Sequence, residues 1–61
     1  MSKQTFKTRK EAKAEEAKMQ GWETKVTQLY QPDDPNANAN GNVFVIQCDG
    51  DKYLQENGYV N

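Results

Sequence analysis

Two stretches of the chain alternate polar and apolar residues with period two, and a third carries a helical pattern. In WETKVTQLY, residues 22–30, one side holds Trp22, Thr24, Val26, Gln28 and Tyr30. The other holds Glu23, Lys25, Thr27 and Leu29. Aromatic and β-branched residues at that period predict a half-buried strand, with room for a bulge or a two-sided edge near Leu29. In NVFVIQC, residues 42–48, Phe44, Ile46 and Cys48 share one side, and Val43, Val45 and Gln47 the other. Apolar residues on both sides predict the central strand of a small sheet.

The helical stretch begins at Thr8-Arg9-Lys10-Glu11, which fits a capping box, and continues through strong helix formers to Gln20. Gly21 fits the left-handed cap that ends such a helix. The expected helix therefore covers residues 9–20, with Ala12, Ala17 and Met19 turned inward and Ala14 or Glu16 at the edge. Phe6, just ahead of the cap, fits a short first strand or a clamp on the helix start.

Between the strands, QPDDPNANANG at 31–41 reads as a long, mobile loop, and the flanking strands still pair antiparallel. After Asp49-Gly50, Asp51 is placed to cap a short second helix over residues 52–57, with Tyr53 and Leu54 inward and Gly58 ending it. Tyr59 and Val60 then supply one more strand pair or a packed tail. The echo between QGWETK, residues 20–25, and ENGYVN, residues 56–61, is the grammar of two helices ending alike. It also allows a ferredoxin-like half-repeat with very short outer strands. The predicted fold is α+β, one small domain over residues 1–61. One principal helix packs on a short, mainly antiparallel sheet of two to four strands, with a second short helix near the C-terminus. Residues 1–5 are expected to be mobile.

Composition narrows what such a domain can do. The chain has 61 residues and is 34% apolar, against roughly 45% or more in an ordinary domain, so its core is thin. There is one cysteine and no histidine, which excludes an intramolecular disulfide, a zinc site and the commonest general base near neutral pH. Small domains without such staples depend on tight packing or on a partner subunit, so a homodimer is one expectation. No apolar run is long enough to span a membrane, and the charged N-terminal run has no leader-like apolar stretch. A cytoplasmic setting follows as an expectation, with Cys48 kept reduced.

Candidate chemistry is sparse. Serine occurs only at Ser2, the four glycines are isolated, and no phosphate-binding loop is present. Cys48 closes an apolar strand side and reads as structural rather than reactive. Asp49 with Asp51, and Asp33 with Asp34, offer too few oxygens for a calcium loop and suit turns and caps instead. No catalytic residue, metal or cofactor is expected.

Charge is uneven: residues 1–20 carry a net of +3 and residues 21–61 a net of −4. Intramolecular complementarity accounts for that split most simply. A basic contact surface at Lys7, Arg9, Lys10 and Lys13, with aromatics to stack bases, is the nucleic-acid alternative. The leading expectation is a non-enzymatic protein-binding or adaptor module with an unidentified protein partner or self-association. Its anchors would be Trp22, Tyr30, Tyr53 and Tyr59, with Val43 and Val45 as an apolar patch if the helix leaves them bare.

Overall fold

A computed structural model of the chain describes residues 3–61. The fold is a small α+β arrangement: helix α1 (Arg9–Glu16), then strands β1 (Thr24–Tyr30), β2 (Asn42–Cys48) and β3 (Lys52–Tyr53) in a three-stranded sheet of order β1-β2-β3. Both strand pairs are antiparallel. The sheet is a plain meander, not a ferredoxin-like half-repeat.

The N-cap half of the capping box forms: Thr8 Oγ1 accepts from the Glu11 amide at 3.2 Å, while the Glu11 carboxylate accepts from the Thr8 hydroxyl at 3.2 Å and not from the Thr8 amide. Regular α-helix ends at Glu16, earlier than Gln20. The chain then tightens, with Lys18 and Met19 amides donating three residues back to Glu15 and Glu16. That tighter winding leaves Ala17 exposed rather than inward, while Ala12 is fully buried and Met19 packs at the border of the core.

The expected second helix is absent: among the described residues there is one helix, and residues 52–57 belong to two hairpins. Asp49 and Gly50 both take positive φ, 46° and 94°, and fold the chain back so that Cys48 pairs with Lys52 and Gln47 with Tyr53. Asp-Gly between apolar runs is a hairpin signal, and six residues are too few to hold a helix unaided. A second three-residue turn follows, with Leu54 bridged to Val60 and Asn57 Oδ1 accepting from the Tyr59 amide at 3.0 Å.

Residues 3–5, expected to be mobile, and Phe6, expected on a short first strand or as a clamp on the helix start, complete the sheet. β3 departs from β2 after Leu54, whose amide donates to Ile46 O. The N-terminal segment takes over there, Phe6 exchanging hydrogen bonds with Phe44 and Gln4 donating to Leu54 O. Met1 and Ser2 lie outside the described residues.

The core is split by the sheet. On the helix side, Ala12, Val26, Ile46, Cys48 and Leu54 are buried, with Phe6, Met19, Phe44 and Val60 packed around them. On the other side Val43 and Val45 are fully buried, though no helix covers them. The 31–41 loop closes that side. It is held by Asp34 Oδ1, which accepts from the Thr5 hydroxyl (3.2 Å) and the Asn36 amide (2.8 Å), and by Asn36 Nδ2, which donates to Thr5 Oγ1 (2.9 Å). Thr5 neighbours Phe6 in its pairing with Phe44, so its side chain shares the side of Val43 and Val45. A radius of gyration of 10.8 Å, against about 10.5 Å expected for a packed chain of this length, agrees with a loop folded down rather than projecting.

Candidate functional site

A hollow lined by both apolar and polar side chains lies where the last turn of α1 meets the second hairpin. It has a volume of about 540 Å³. Met19 and Trp22 enter from the helix exit, Phe6 from the N-terminal segment, and Leu54 and Val60 from the two arms of the hairpin. Local chemistry puts each in place. The tightened helix end turns Met19 toward the core, the left-handed Gly21 (φ 86°) redirects the chain, and Trp22 comes before strand pairing begins. The Leu54–Val60 bridge sets two aliphatic side chains side by side on the same surface.

Trp22 is 40% exposed, so a large apolar side chain borders the groove without being consumed by the core. Polar residues bordering the groove are Gln4, Glu15, Lys18, Gln20 and Glu56. The Lys18–Glu15 pair, 3.8 Å apart and exposed, adds little stability. Gln55 also borders the groove. Its Nε2 donates to the Tyr53 and Asn61 carbonyls, which fixes the orientation of the amide, and its Oε1 has no partner among the described residues.

The other expected anchors are dispersed. Tyr30 is 73% exposed but stands at the far end of β1, its ring near Gly41 and Pro32. Tyr59 is exposed on the second hairpin, and Tyr53 is half-buried with Lys3 Nζ 4.8 Å from its ring centre. Val43 and Val45 offer no patch. The helix does leave their side of the sheet bare, but the loop covers it, and both side chains are fully buried.

No protein family, curated protein or solved structure matches this chain. The reading of its site therefore rests on its own geometry.

The Arg9 guanidinium lies 5.1 Å from the Phe44 ring centre, and Lys13 pairs with Glu16 at 3.7 Å. Two of the four cations thus have partners within the fold, while Lys7 and Lys10 are exposed beside the helix start. The aspartates have turn duties: Asp34 holds the loop, and Asp49 Oδ1 accepts from the Glu23 amide at 3.1 Å. Among the described residues, no group of three or more His, Cys, Asp or Glu side chains could hold a metal ion. Cys48 is fully buried. Burial pushes its thiol pKa up, the nearby Asp49 and Glu16 charges push it further, and a backbone hydrogen bond involving Leu54 acts against them. Such a thiol is a poor nucleophile at neutral pH. No helix among the described residues is long and apolar enough to cross a membrane.

Sequence reasoning singled out Trp22 and missed its groove partners. The residue pattern turns Met19 and Leu54 inward and makes Val60 part of a strand pair or packed tail, and all three do pack in or against the core while also lining the groove. The Asn57-Gly58 pair between Leu54 and Val60 was the available hairpin signal that brings the last two together.

Proposed function

We propose that this domain is a non-enzymatic protein-binding module, acting in the cytoplasm, and that the groove around Trp22 receives an apolar segment of a partner protein. One observation carries the reading. A tryptophan 40% exposed stands at the border of a groove of about 540 Å³, whose apolar side chains are rimmed by polar ones, in a domain too small to leave such a side chain without cost. Tryptophan is enriched among binding hot spots, since it offers a large contact area for little lost conformational freedom. Met19, unbranched and adaptable, suits a surface that fits itself to a partner's side chain. Cys48, buried with a raised pKa, stays a thiol in a reducing compartment.

Site-specific photo-crosslinking tests this. A benzophenone side chain at Gln20, on the groove rim, is compared with one at Asn40, on the far loop. The expected result is a discrete protein adduct from position 20 that weakens at least about tenfold with Trp22→Ala, as for a hot-spot residue. Equal adducts from both positions, or adducts indifferent to Trp22→Ala in a folded variant, would overturn the reading.

A further inference from the structure

β1 has a partner on one edge only, and the hydrogen-bond pattern fixes what the other edge presents. The Asp49 amide donates to Glu23 O, and the Gln31 amide donates to Gly41 O, in the register that pairs Thr24 with Cys48 and Tyr30 with Asn42. In an antiparallel ladder the hydrogen-bonding residues alternate. The odd-numbered residues of β1 therefore turn their backbone groups toward β2. The amides and carbonyls of Thr24, Val26, Gln28 and Tyr30 point outward. Among the described residues, none of these groups has a backbone or side-chain partner outside the β1–β2 ladder.

We infer that this edge pairs with the same edge of a second copy of the chain, antiparallel, about a two-fold axis at Thr27. In that register Thr24 faces the partner's Tyr30 and Val26 faces the partner's Gln28, and both relations hold in reverse. All eight outward backbone groups are satisfied at once. Shifting the pairing by two residues in either direction leaves outward groups unmatched at the strand ends. Charge agrees with the register. Lys25 is the only charged residue of the strand and is the kind of side chain that protects an edge from wrong pairing. About this axis it stands opposite Leu29, not opposite its own copy, so its aliphatic stem packs while its ammonium reaches water. Even-numbered residues meet even-numbered ones, so both helices fall on one side of a continuous six-stranded sheet. Pairing over seven residues buries far less than the roughly 1,600 Å² of a standard interface, so the dimer belongs with the weak, reversible ones.

Cysteine scanning under mild oxidation reads both existence and register. Thr27→Cys brings two thiols together at the axis in a non-hydrogen-bonded pair, where Cα atoms lie about 4.5 Å apart, within disulfide reach. Lys25→Cys or Leu29→Cys alone places like positions roughly 13 Å apart along the strands, out of reach. Cys48, fully buried, stays out of the reaction. The expected result is efficient disulfide dimer from Thr27→Cys, little from either neighbour, and efficient cross-linking when the Lys25→Cys and Leu29→Cys proteins are mixed. Sedimentation equilibrium of the unmodified chain should show dimer appearing between micromolar and millimolar concentration, with amide exchange slowing at Thr24, Val26, Gln28 and Tyr30. A monomer at millimolar concentration with those four amides exchanging freely would overturn the inference and leave the edge to a strand of another protein. Preferential cross-linking at position 25 or 29 would overturn the register.

Discussion

The two sides of this sheet are closed by opposite means. On one side a regular helix and the chain's own strand ends cover Val26, Ile46 and Cys48, and the contacts are almost wholly apolar. On the other, Val43 and Val45 are equally buried, yet their cover is a loop held by Asp34, Asn36 and Thr5 through hydrogen bonds. Burial depth is the same, but its source differs. The helix side is stabilised by area removed from water, which tolerates small shifts. The loop side depends on a few directional bonds, each worth about 1 kcal/mol net, whose loss leaves polar atoms unpaired above an apolar floor. A 61-residue chain holds roughly 3–9 kcal/mol of stability in total, so either closure can decide whether it folds.

The largest test of this contrast is Ile46→Ala, which removes a fully buried branched side chain from the helix side. It should cost about 2–5 kcal/mol, enough to unfold much of the population at room temperature, as read by urea denaturation followed by circular dichroism. Val45→Ala on the loop side removes less volume and should cost about 2 kcal/mol, unless loop and side chain collapse together. An equal or larger loss there would reverse the ranking of the two sides. Next comes Gly41→Ala. Gly41 adopts φ 79°, and a β-carbon there would stand 2.9 Å from Tyr30 Cε1 and 3.2 Å from Pro32 Cβ. Strain and collision together should cost about 1–3 kcal/mol and disturb the loop before the helix, seen as early loss of amide protection over 31–41.

The same contrast explains what could be read from the residues alone. β2 at 42–48, the helix start at the Thr8 cap and the antiparallel pairing of β1 with β2 follow from local periodicity and capping, which act over a few residues. The closure of the second side does not, because Thr5 finds Asp34 and Asn36 across 29 and 31 positions and no local pattern announces it. The Phe6–Phe44 pairing is hidden for the same reason. The C-terminal error was different, since its signals were present. Asp49-Gly50 and Asn57-Gly58 are both hairpin dipeptides, but Asp51 also resembles a helix cap, and that competing local reading prevailed. Trp22 stood out by type, whereas its groove combines the helix exit, the N-terminal segment and the second hairpin, a set only the tertiary pairing assembles.

A smaller perturbation isolates the directional closure. Thr5→Val keeps the shape of the side chain and the strand position but removes the hydroxyl that donates to Asp34 and accepts from Asn36. The expected loss is about 1 kcal/mol, with exchange accelerating at the loop amides of Asn36 and Ala37 while the Thr27 and Val45 amides, inside the β1–β2 ladder, keep their protection. If the whole sheet loosened together, the two sides would be one cooperative unit and the distinction drawn between them would fail. Thr8→Ala provides a comparison on the helix side. It loses a hydroxyl of similar worth at the capping box, and its effect should fall on the first turn of α1 instead of the loop.

The smallest expected effect concerns Cys48, at the foot of the helix side. Its folded-state thiol pKa is raised above the unfolded value, first by burial and then by the Asp49 and Glu16 charges. The unfolded chain therefore gives up the thiol proton at lower pH than the folded one. Below the unfolded pKa, about 8.5, both states hold the proton and the full contribution is present. As pH rises through the folded-state pKa, unfolding becomes progressively easier, because only the unfolded thiolate is well solvated. Lysines and tyrosines also titrate in this range, so the informative quantity is the difference between the unmodified chain and Cys48→Ala. Denaturation midpoints of the two should run parallel from pH 6 to about pH 8 and converge above it, as the unmodified chain alone loses stability through the thiol. Parallel curves up to pH 10 would mean that the thiol reaches water in the folded state, and that the helix side is less tightly sealed than the loop side.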